Sequence, residues 1–495
     1  MMYGEEKSDS LIVAANLANN PQGAESVERR SGAKGNAEQP HMRRTQSRES
    51  MSQRLSRVRE AAKQRKKERF TALFHLLTAE ALENAFLSLS RKAAAGVDGV
   101  RWKDYAENLK VNIADLHRRL HQGSYRAQTG RRHYIPKADG KQRPLGIASL
   151  EDKIVQYALV KILNAVYEND FMGFSYGFRP GRSQHNALDA LATGLVRTNV
   201  NWVLDADISQ FFDKVSHEWL IRFIEHRIGD QRVIRLIRKW LTAGTSEEGE
   251  WRASEEGTPQ GAVISPLLAN IYLHYVFDLW AHQWRRRHAT GNVVMVRYAD
   301  DIVIGFDKRI DAQCFRIAMQ RRLKEFGLTV HPKKTRLMEF GRFAAENRAS
   351  RGKGKPETFN FLGFTHISGK DRSGRFMLIR KTRRDRMTAT LKAIKDGLRK
   401  RWHYSIPEQG KWLRRVVQGY LNYHSVPGNY PMMRKFRIYV TDLWRRALRR
   451  RSQQDDTTWT KANRLAAVWL PKVRVLHPWP VERFTARHPR QEPGA

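Results

Sequence analysis

Two apolar runs, Val293-Val294-Met295-Val296 and Ile302-Val303-Ile304, flank a polar break at Tyr298-Ala299-Asp300-Asp301. β-Branched runs around a short break predict strand, tight turn, strand. Adjacent carboxylates at such a tip repel each other. A divalent cation such as Mg²⁺, which takes hard oxygen ligands, would relieve that repulsion. A solvated Asp-Asp turn is the alternative. Trp202 to Ile208 predicts another strand, and period two puts Val203, Asp205 and Asp207 on one face. Its acids suit a ligand site or a strand running into a loop.

Helical spacing predicts helices over Phe70–Leu89, Trp102–His121 and Asp152–Asn164. A further helix starts at Ser216 with Glu218 in its first turn, and another runs from Arg232 to Ala243 and stops at Gly244. Ser265-Pro266 reads as a cap and a first-turn proline, followed by an apolar stripe from Leu267 to Leu279. Ala312 to Phe326 is a helix. Residues 245–256 read as polar turns, Gly341 to Glu357 as a glycine- and charge-rich insertion, and Phe359 to Phe364 as a short aromatic strand pair.

Residues 131–147 read as strand, Asp-Gly hairpin, strand. Lys137 and Arg143 lie on its two arms. They form either a triphosphate clamp or ordinary exposed charges. Tyr176 to Ser183 is an aromatic and arginine loop carrying Arg179 and Arg182. It suits base stacking and phosphate contacts, or is a structural turn. Gly257-Thr258-Pro259-Gln260-Gly261 is a loop whose backbone can approach a ligand closely.

From Lys381 the pattern changes to basic helices with three stripes: Met387, Leu391, Ile394 and Leu398; Trp412, Val416, Tyr420 and Tyr423; Met433, Phe436, Val440, Leu443 and Ala447. Arginines crowd the other faces, among them Arg445, Arg446, Arg449 and Arg450. Basic helices with interleaved aromatics predict a nucleic-acid-binding unit. The tail from Pro471 is expected to pack on the surface.

Composition agrees with that partner. The 495 residues carry 90 Lys+Arg against 50 Asp+Glu, a net charge of +40, and the excess is spread along the chain. Nucleic acid is the natural counterpart. No apolar run approaches the roughly 18 residues of a membrane span. A single cysteine, Cys314, excludes a disulfide framework within the chain and a Cys-rich zinc module. A reducing, cytoplasmic location is the default. Residues 1–53 read as a disordered leader. The basic stretch 54–69 is either a helix on a phosphate backbone or a solvated leader.

The motifs, taken in order, resemble group II intron-encoded reverse transcriptase/maturases of the bacterial type. They are Gly96-Val97-Asp98-Gly99, Ile135-Pro136-Lys137, Arg143-Pro144-Leu145-Gly146-Ile147, Tyr176-Gly177-Phe178-Arg179-Pro180, Asp207-Ile208 through Phe212-Asp213, Gly257-Thr258-Pro259-Gln260-Gly261, Tyr298-Ala299-Asp300-Asp301, Lys333-Lys334-Thr335 and Phe361-Leu362-Gly363-Phe364. Tyr-Ala-Asp-Asp alone is a weak match; the ordered set, over about residues 70–470, is specific.

The resemblance implies an α+β right-hand polymerase, with a basic extension and the start of the fingers at 54–125, fingers and palm at 126–366, and a helical thumb/maturase domain at 381–470, followed by a tail at 471–495. It implies Asp207, Asp300 and Asp301 as catalytic carboxylates, with Ile208 added to the ligands of two Mg²⁺ ions. It implies Lys137, Arg143, Phe212, Gln260 and Lys334 around the incoming dNTP, with Phe212 excluding a ribose 2′-hydroxyl and Lys334 near the leaving pyrophosphate. Its partners would be group II intron RNA, an RNA template with a DNA primer, and target DNA, in a bacterial cytoplasm near the nucleoid. Arg179, Arg182, Arg445, Arg446, Arg449 and Arg450 are the candidate RNA contacts. With one cysteine, no zinc endonuclease module is expected. The alternatives are a splicing maturase with little polymerase activity, and a reverse transcriptase serving a retron, a diversity-generating element or phage defence.

Overall fold

A computed structural model describes residues 50–136, 142–247, 250–252, 255–451 and 457–487. Ser50 caps α1 (Met51–Gln64), its hydroxyl accepting from the Gln53 N–H. Helix therefore begins before the expected leader boundary at 53; residues 1–49 of that leader lie outside the described residues. The Phe70–Leu89 stripe is two elements rather than one helix. Asp230 accepts from the backbone N–H groups of Leu73 and Phe74 (2.9 and 2.8 Å), beside a single 3₁₀ turn at Phe74–Leu76. Thr78 then adopts extended backbone and caps α2 (Ala79–Ser88). The next stripe breaks at Asn108 into α3 (Trp102–Glu107) and α4 (Leu109–His121).

Strands β1 (Gly130–Pro136) and β2 (Gln142–Ile147) pair antiparallel from Arg131↔Ile147 to Pro136↔Gln142. The turn between them, with Lys137, lies outside the described residues. Helix α5 (Leu150–Tyr167), longer than expected, starts at a Ser149 cap, and α6 (Gln184–Arg197) at a Ser183 cap. Acidic strand β3 (Trp202–Asp207) leads to α7 (His217–Glu225), capped by Ser216 as expected, and α8 (Gln231–Thr242). The stretch expected as polar turns contains β4 (Thr245–Glu247) and β5 (Glu250–Arg252). They extend the hairpin sheet in the order β2-β1-β4-β5. Pairing of β4 with β1 and of β5 with β4, not strand propensity, makes them strands.

A long helical rod follows: α9 (Ser265–Leu273), a π-helical turn at His274–Asp278, and α10 (Leu279–Arg287). Its cap position is Ile264; Ser265 is the first helical residue, and its hydroxyl donates to the Pro259 carbonyl (2.8 Å). Strands β6 (Val293–Tyr298) and β7 (Asp301–Phe306) form the expected hairpin. Then come α11 (Arg309–Glu325), β8 (Arg336–Glu339) and, inside the expected insertion, α12 (Ala344–Ala349). The second sheet has the order β6-β7-β3-β8. A third is built from β9 (Phe359–Phe361), β10 (Phe364–Lys370) and β11 (Phe376–Thr382).

The basic region forms α13 (Arg384–Lys400), α14 (Ile406–His424) and α15 (Tyr430–Arg449), with a fourth helix, α16 (Trp459–Trp469), that the stripes did not announce. These helices bury their own apolar core, including Ile394, Leu398, Leu413, Val417, Phe436, Val440 and Trp444. The other core runs through the rest of the molecule. On α14 the buried large hydrophobic residues are Leu413, Val417, Tyr420 and Leu421. Trp412 and Val416 of the expected stripe are half-buried. Trp412 instead lies under the Arg401 guanidinium (4.4 Å) and over Gly397, where a Cβ would meet its ring at 2.5 Å.

The tail does more than rest on the surface. Leu476 N–H donates to the Ser425 carbonyl (2.9 Å) and His477 Nε2 bonds the Asn422 carbonyl (2.7 Å). Helix α17 (Pro480–Arg487) then crosses to α6, where Arg483 pairs with Asp189 and Phe484 is buried. No helix among the described residues is long and apolar enough to cross a membrane.

Candidate active site

The carboxylates meet at one end of the second sheet. Strands β3 and β7 are antiparallel neighbours, and their register sets Asp207 directly opposite Asp301. Directly opposed side chains share a face. Asp300 sits beside them in the β6–β7 turn, made by Ala299 at φ +57°. The last stretch before β8 runs alongside. Its His331 N–H donates to the Asp207 carbonyl (2.7 Å), and Lys334 Nζ donates to the Asp207 carboxylate (2.9 Å).

Like charge accumulates here. Burial, then the charges of Asp300, Asp207 and Asp205, push the Asp301 carboxyl up to about 7, against the pull of Lys334. Asp300 is raised by burial first and by Asp207, and is eased by Arg143 and Lys334. Asp205, on the same face, is pushed to about 6 by burial and by Asp207, with Arg336 opposing. Lys334 is raised, chiefly by its hydrogen bond to Asp207. An ammonium drawn into a knot of carboxylates marks a place where positive charge is stabilised. The donors are hard oxygens, which fit a Mg²⁺-type ion. The side chain of Ile208 is aliphatic and buried, which leaves its main-chain carbonyl as the group that could face a metal ion. Among the described residues no three or more His, Cys, Asp or Glu side chains are gathered into a preformed metal cage.

The glycine loop closes the neighbouring side. Thr258 N–H donates to the Phe212 carbonyl (2.7 Å), and Gly146 N–H to the Gln260 carbonyl (2.7 Å). Gly261, at φ +108°, lies so close to Gly146 that a Cβ would meet its carbonyl at 3.1 Å. Gln260 Nε2 donates to the Asp213 carboxylate (3.2 Å). The loop thus ties Phe212, half-buried, to strand β2, which carries exposed Arg143.

Arg179 and Arg182 do not line a ligand surface. They are 2% and 3% exposed. Arg179 bonds Glu168 and the Met172 and Ser175 carbonyls, and Arg182 bonds the Gly173 and Ser175 carbonyls. The loop is the structural turn, because buried guanidiniums must spend their N–H groups on internal acceptors. At the far end, Arg446, Arg449 and Arg450 are exposed, Arg446 while paired with Asp442 (2.7 Å), and Arg445 is half-buried on the same carboxylate.

Residues 135–366 match the family model of reverse transcriptase (RNA-dependent DNA polymerase). Over this stretch the chain is similar to reverse transcriptase domains. The stretch contains Asp207, Asp300, Asp301, Arg143 and Lys334. Protein YkfC of Escherichia coli K12 is 43% identical to the chain over 206 residues, 41% of this chain and 54% of that protein. Group II intron-encoded protein LtrA of Lactococcus lactis is 37% identical over 223 residues, 44% of this chain and 37% of LtrA. Nuclear intron maturase 2, mitochondrial, of Arabidopsis thaliana is 29% identical over 110 residues, 21% of this chain and 15% of that protein. The chain is thus homologous to group II intron-encoded proteins and intron maturases. It spans about half, or less, of the length of these curated relatives.

Two of the charged residues in the stretch 135–366 that lie outside the motifs are half-buried Asp205 and fully buried Arg297. Asp205 is visible only as an extra acid in β3. Arg297 is an arginine within an apolar strand, which is itself the signal that could have found it.

Proposed function

We propose that the chain is an RNA-directed DNA polymerase that also binds group II intron RNA, assists its splicing, and supports intron mobility by target-primed reverse transcription. The observation that carries this reading is the pairing of Asp207 with Asp301, with Asp300 in the adjoining turn, inside a stretch similar to reverse transcriptase domains.

Asp207, Asp300, Asp301 and the Ile208 carbonyl would hold two Mg²⁺ ions, which supply an activated primer 3′-hydroxyl and charge neutralisation at the triphosphate. Arg143 and Lys137 would bind the phosphates of the dNTP. Phe212, fixed through its carbonyl by Thr258, would press on the sugar where a 2′-hydroxyl would sit. Gln260 would border the base pocket. Lys334, protonated at Nζ, would stand where pyrophosphate departs and offer it positive charge. The hairpin sheet and the carboxylate sheet would serve as fingers and palm, and α13–α16 as a thumb/maturase domain gripping RNA through Arg446, Arg449 and Arg450.

The test is primer extension on an RNA template with an annealed DNA primer, Mg²⁺ and dNTPs. Wild type should extend, and Asp300→Ala should lose at least about a thousandfold in rate. Intron RNA binding and splicing assistance should persist in Asp300→Ala. No extension by wild type, with tight binding to structured RNA, would replace this reading with a maturase lacking polymerase activity. Equal loss of synthesis and splicing in the variant would contradict separate roles.

A further inference from the structure

Ala299 takes a left-handed backbone, at φ +57°, between the end of β6 at Tyr298 and the carboxylates Asp300 and Asp301 at the start of β7. A non-glycine residue held there costs about 1–2 kcal/mol and persists only where its surroundings over-determine it. Three contacts do so. Gly177 packs against the turn so closely that a Cβ would lie 2.3 Å from Ala299 N. Asn270 Nδ2 donates to the Gly177 carbonyl (2.7 Å) and keeps that backbone in place. Arg297 Nη1 donates to the Ala299 carbonyl (3.1 Å).

Arg297 is fully buried. Its remaining N–H groups are also committed. Nε and Nη2 donate to the two oxygens of Asp278, Nη1 to Asn270 Oδ1 (3.2 Å) and Nη2 to Ser175 Oγ (2.7 Å). Its main chain bonds Phe174 and Tyr176 (2.8 Å each). A guanidinium has five donors, and here five bonds are made. Asp278 is likewise fully buried.

Asn270 and Asp278 reach the same guanidinium because of the π-helical turn. Eight residues along an α-helix overshoot two full turns by about 80°. The one extra residue of a π turn, about 100° of α-helical rotation, absorbs most of that offset. Both side chains then face one point. Single π turns are otherwise rare and concentrate at functional sites.

We propose that Arg297, clamped by Asp278 and Asn270, is the positioning residue of the Asp300-Asp301 turn. It acts through the Ala299 carbonyl and sets where the two carboxylates stand when metal and dNTP bind. The inference rests on the polymerase reading of this site. It adds a group that touches neither substrate nor metal.

The test is Arg297→Lys, which keeps the charge and loses the fork. Primer extension and Mn²⁺ binding followed by electron paramagnetic resonance are measured on wild type and variant. Misplacing reacting groups by about 1 Å costs on the order of a hundredfold. The expected result is therefore a kcat about 10- to 100-fold lower, with a dNTP KM within about twofold. The concentration of Mn²⁺ giving half-saturation should rise about tenfold, as when a group orienting metal ligands is lost, and RNA affinity should stay unchanged. Activity falling only in step with the folded fraction, with unaltered Mn²⁺ binding, would overturn the proposal. Failure of wild type to extend primers would sink the polymerase reading instead, and the Mn²⁺ comparison would still judge the role of Arg297. Ser175→Ala removes one bond to Nη2 and spares the ion pair. If Arg297→Lys does not fold, Ser175→Ala must weaken Mn²⁺ binding about two- to threefold, and unchanged binding counts against the proposal.

Discussion

Arginine is used in opposite ways in two parts of this molecule. Beside the carboxylate turn, Arg179, Arg182 and Arg297 are buried, and their hydrogen bonds go to internal carbonyls, a hydroxyl, an amide and carboxylates. Burial and the nearby Arg179 lower Arg182 to about 10. In the helical unit, Arg446 keeps 66% of its side chain exposed, and Arg449 and Arg450 lie on the surface. The net charge of +40 therefore overstates what a polyanion meets. One group of arginines is scaffolding for an acidic site, and the other is available to solvent. Burial, which composition cannot express, separates them.

The sharpest way to break this comparison is Arg179→Ala. Its guanidinium pairs with Glu168, whose side chain is 20% exposed. Removing one partner of a buried pair costs about 3 kcal/mol or more. Urea unfolding should show that loss, while the salt dependence of RNA binding stays as in wild type. Unchanged stability with a shallower salt slope would return Arg179 to the RNA surface.

The same contrast explains what the sequence could show. Strands β3, β6 and β7 were legible because β-branched runs dictate them, and Asp207, Asp300 and Asp301 stood out as acids that such strands do not favour. The Ser216 cap and the stop at Gly244 were legible because they are local chemistry. Strands β4 and β5 were not, because Thr245 and Ser246 gain their structure from pairing with Gly130, Arg131, Arg252 and Trp251. The roles of Arg179 and Arg182 stayed open because an aromatic and arginine loop has the same composition whether it faces in or out. Arg297 and Asp278 could not be paired from sequence, since their contact depends on a π turn that no residue pattern announces.

The tail offers a second and smaller test, at the seam between the two parts. His185 on α6 stacks on His477 of the tail, with ring centroids 4.0 Å apart, and lies 5.0 Å from the ring of Tyr423 on α14. Burial first, then the neighbouring His477 and the charges of Arg483 and Arg380, hold its pKa down to about 2, against an ordinary 6.5. Across the seam, Asp189 pairs with Arg483 and Arg380. The fold thus holds His185 neutral. The stability this contributes is complete above pH 6.5 and declines as pH falls below it, by at most about 1.4 kcal/mol per pH unit. His185→Phe should remove that part of the slope between pH 7 and 5, measured by denaturant unfolding. Parallel slopes for wild type and variant would mean that the tail does not seal His185 from water.

The smallest effect lies at the C-terminal end of α15, where Arg450 is the capping residue, and tests the exposed half of the comparison. Arg450→Ala should weaken RNA binding about threefold and reduce the salt slope by about 0.7–0.9, the signature of one lost phosphate contact. Stability should move by no more than about 0.5 kcal/mol, as for a solvated surface position. Arg445→Ala should behave differently although it is only five residues away. Arg445 bonds Asp442 (2.9 Å) and lies over the Trp459 ring at 5.0 Å, so it joins α15 to α16. Its loss should cost about 1 kcal/mol of stability and leave the salt slope nearly intact. Equal slope changes for the two variants would show that RNA displaces Arg445 from Asp442 and Trp459. Position on the free surface would then not be what decides which arginines of this helix meet RNA.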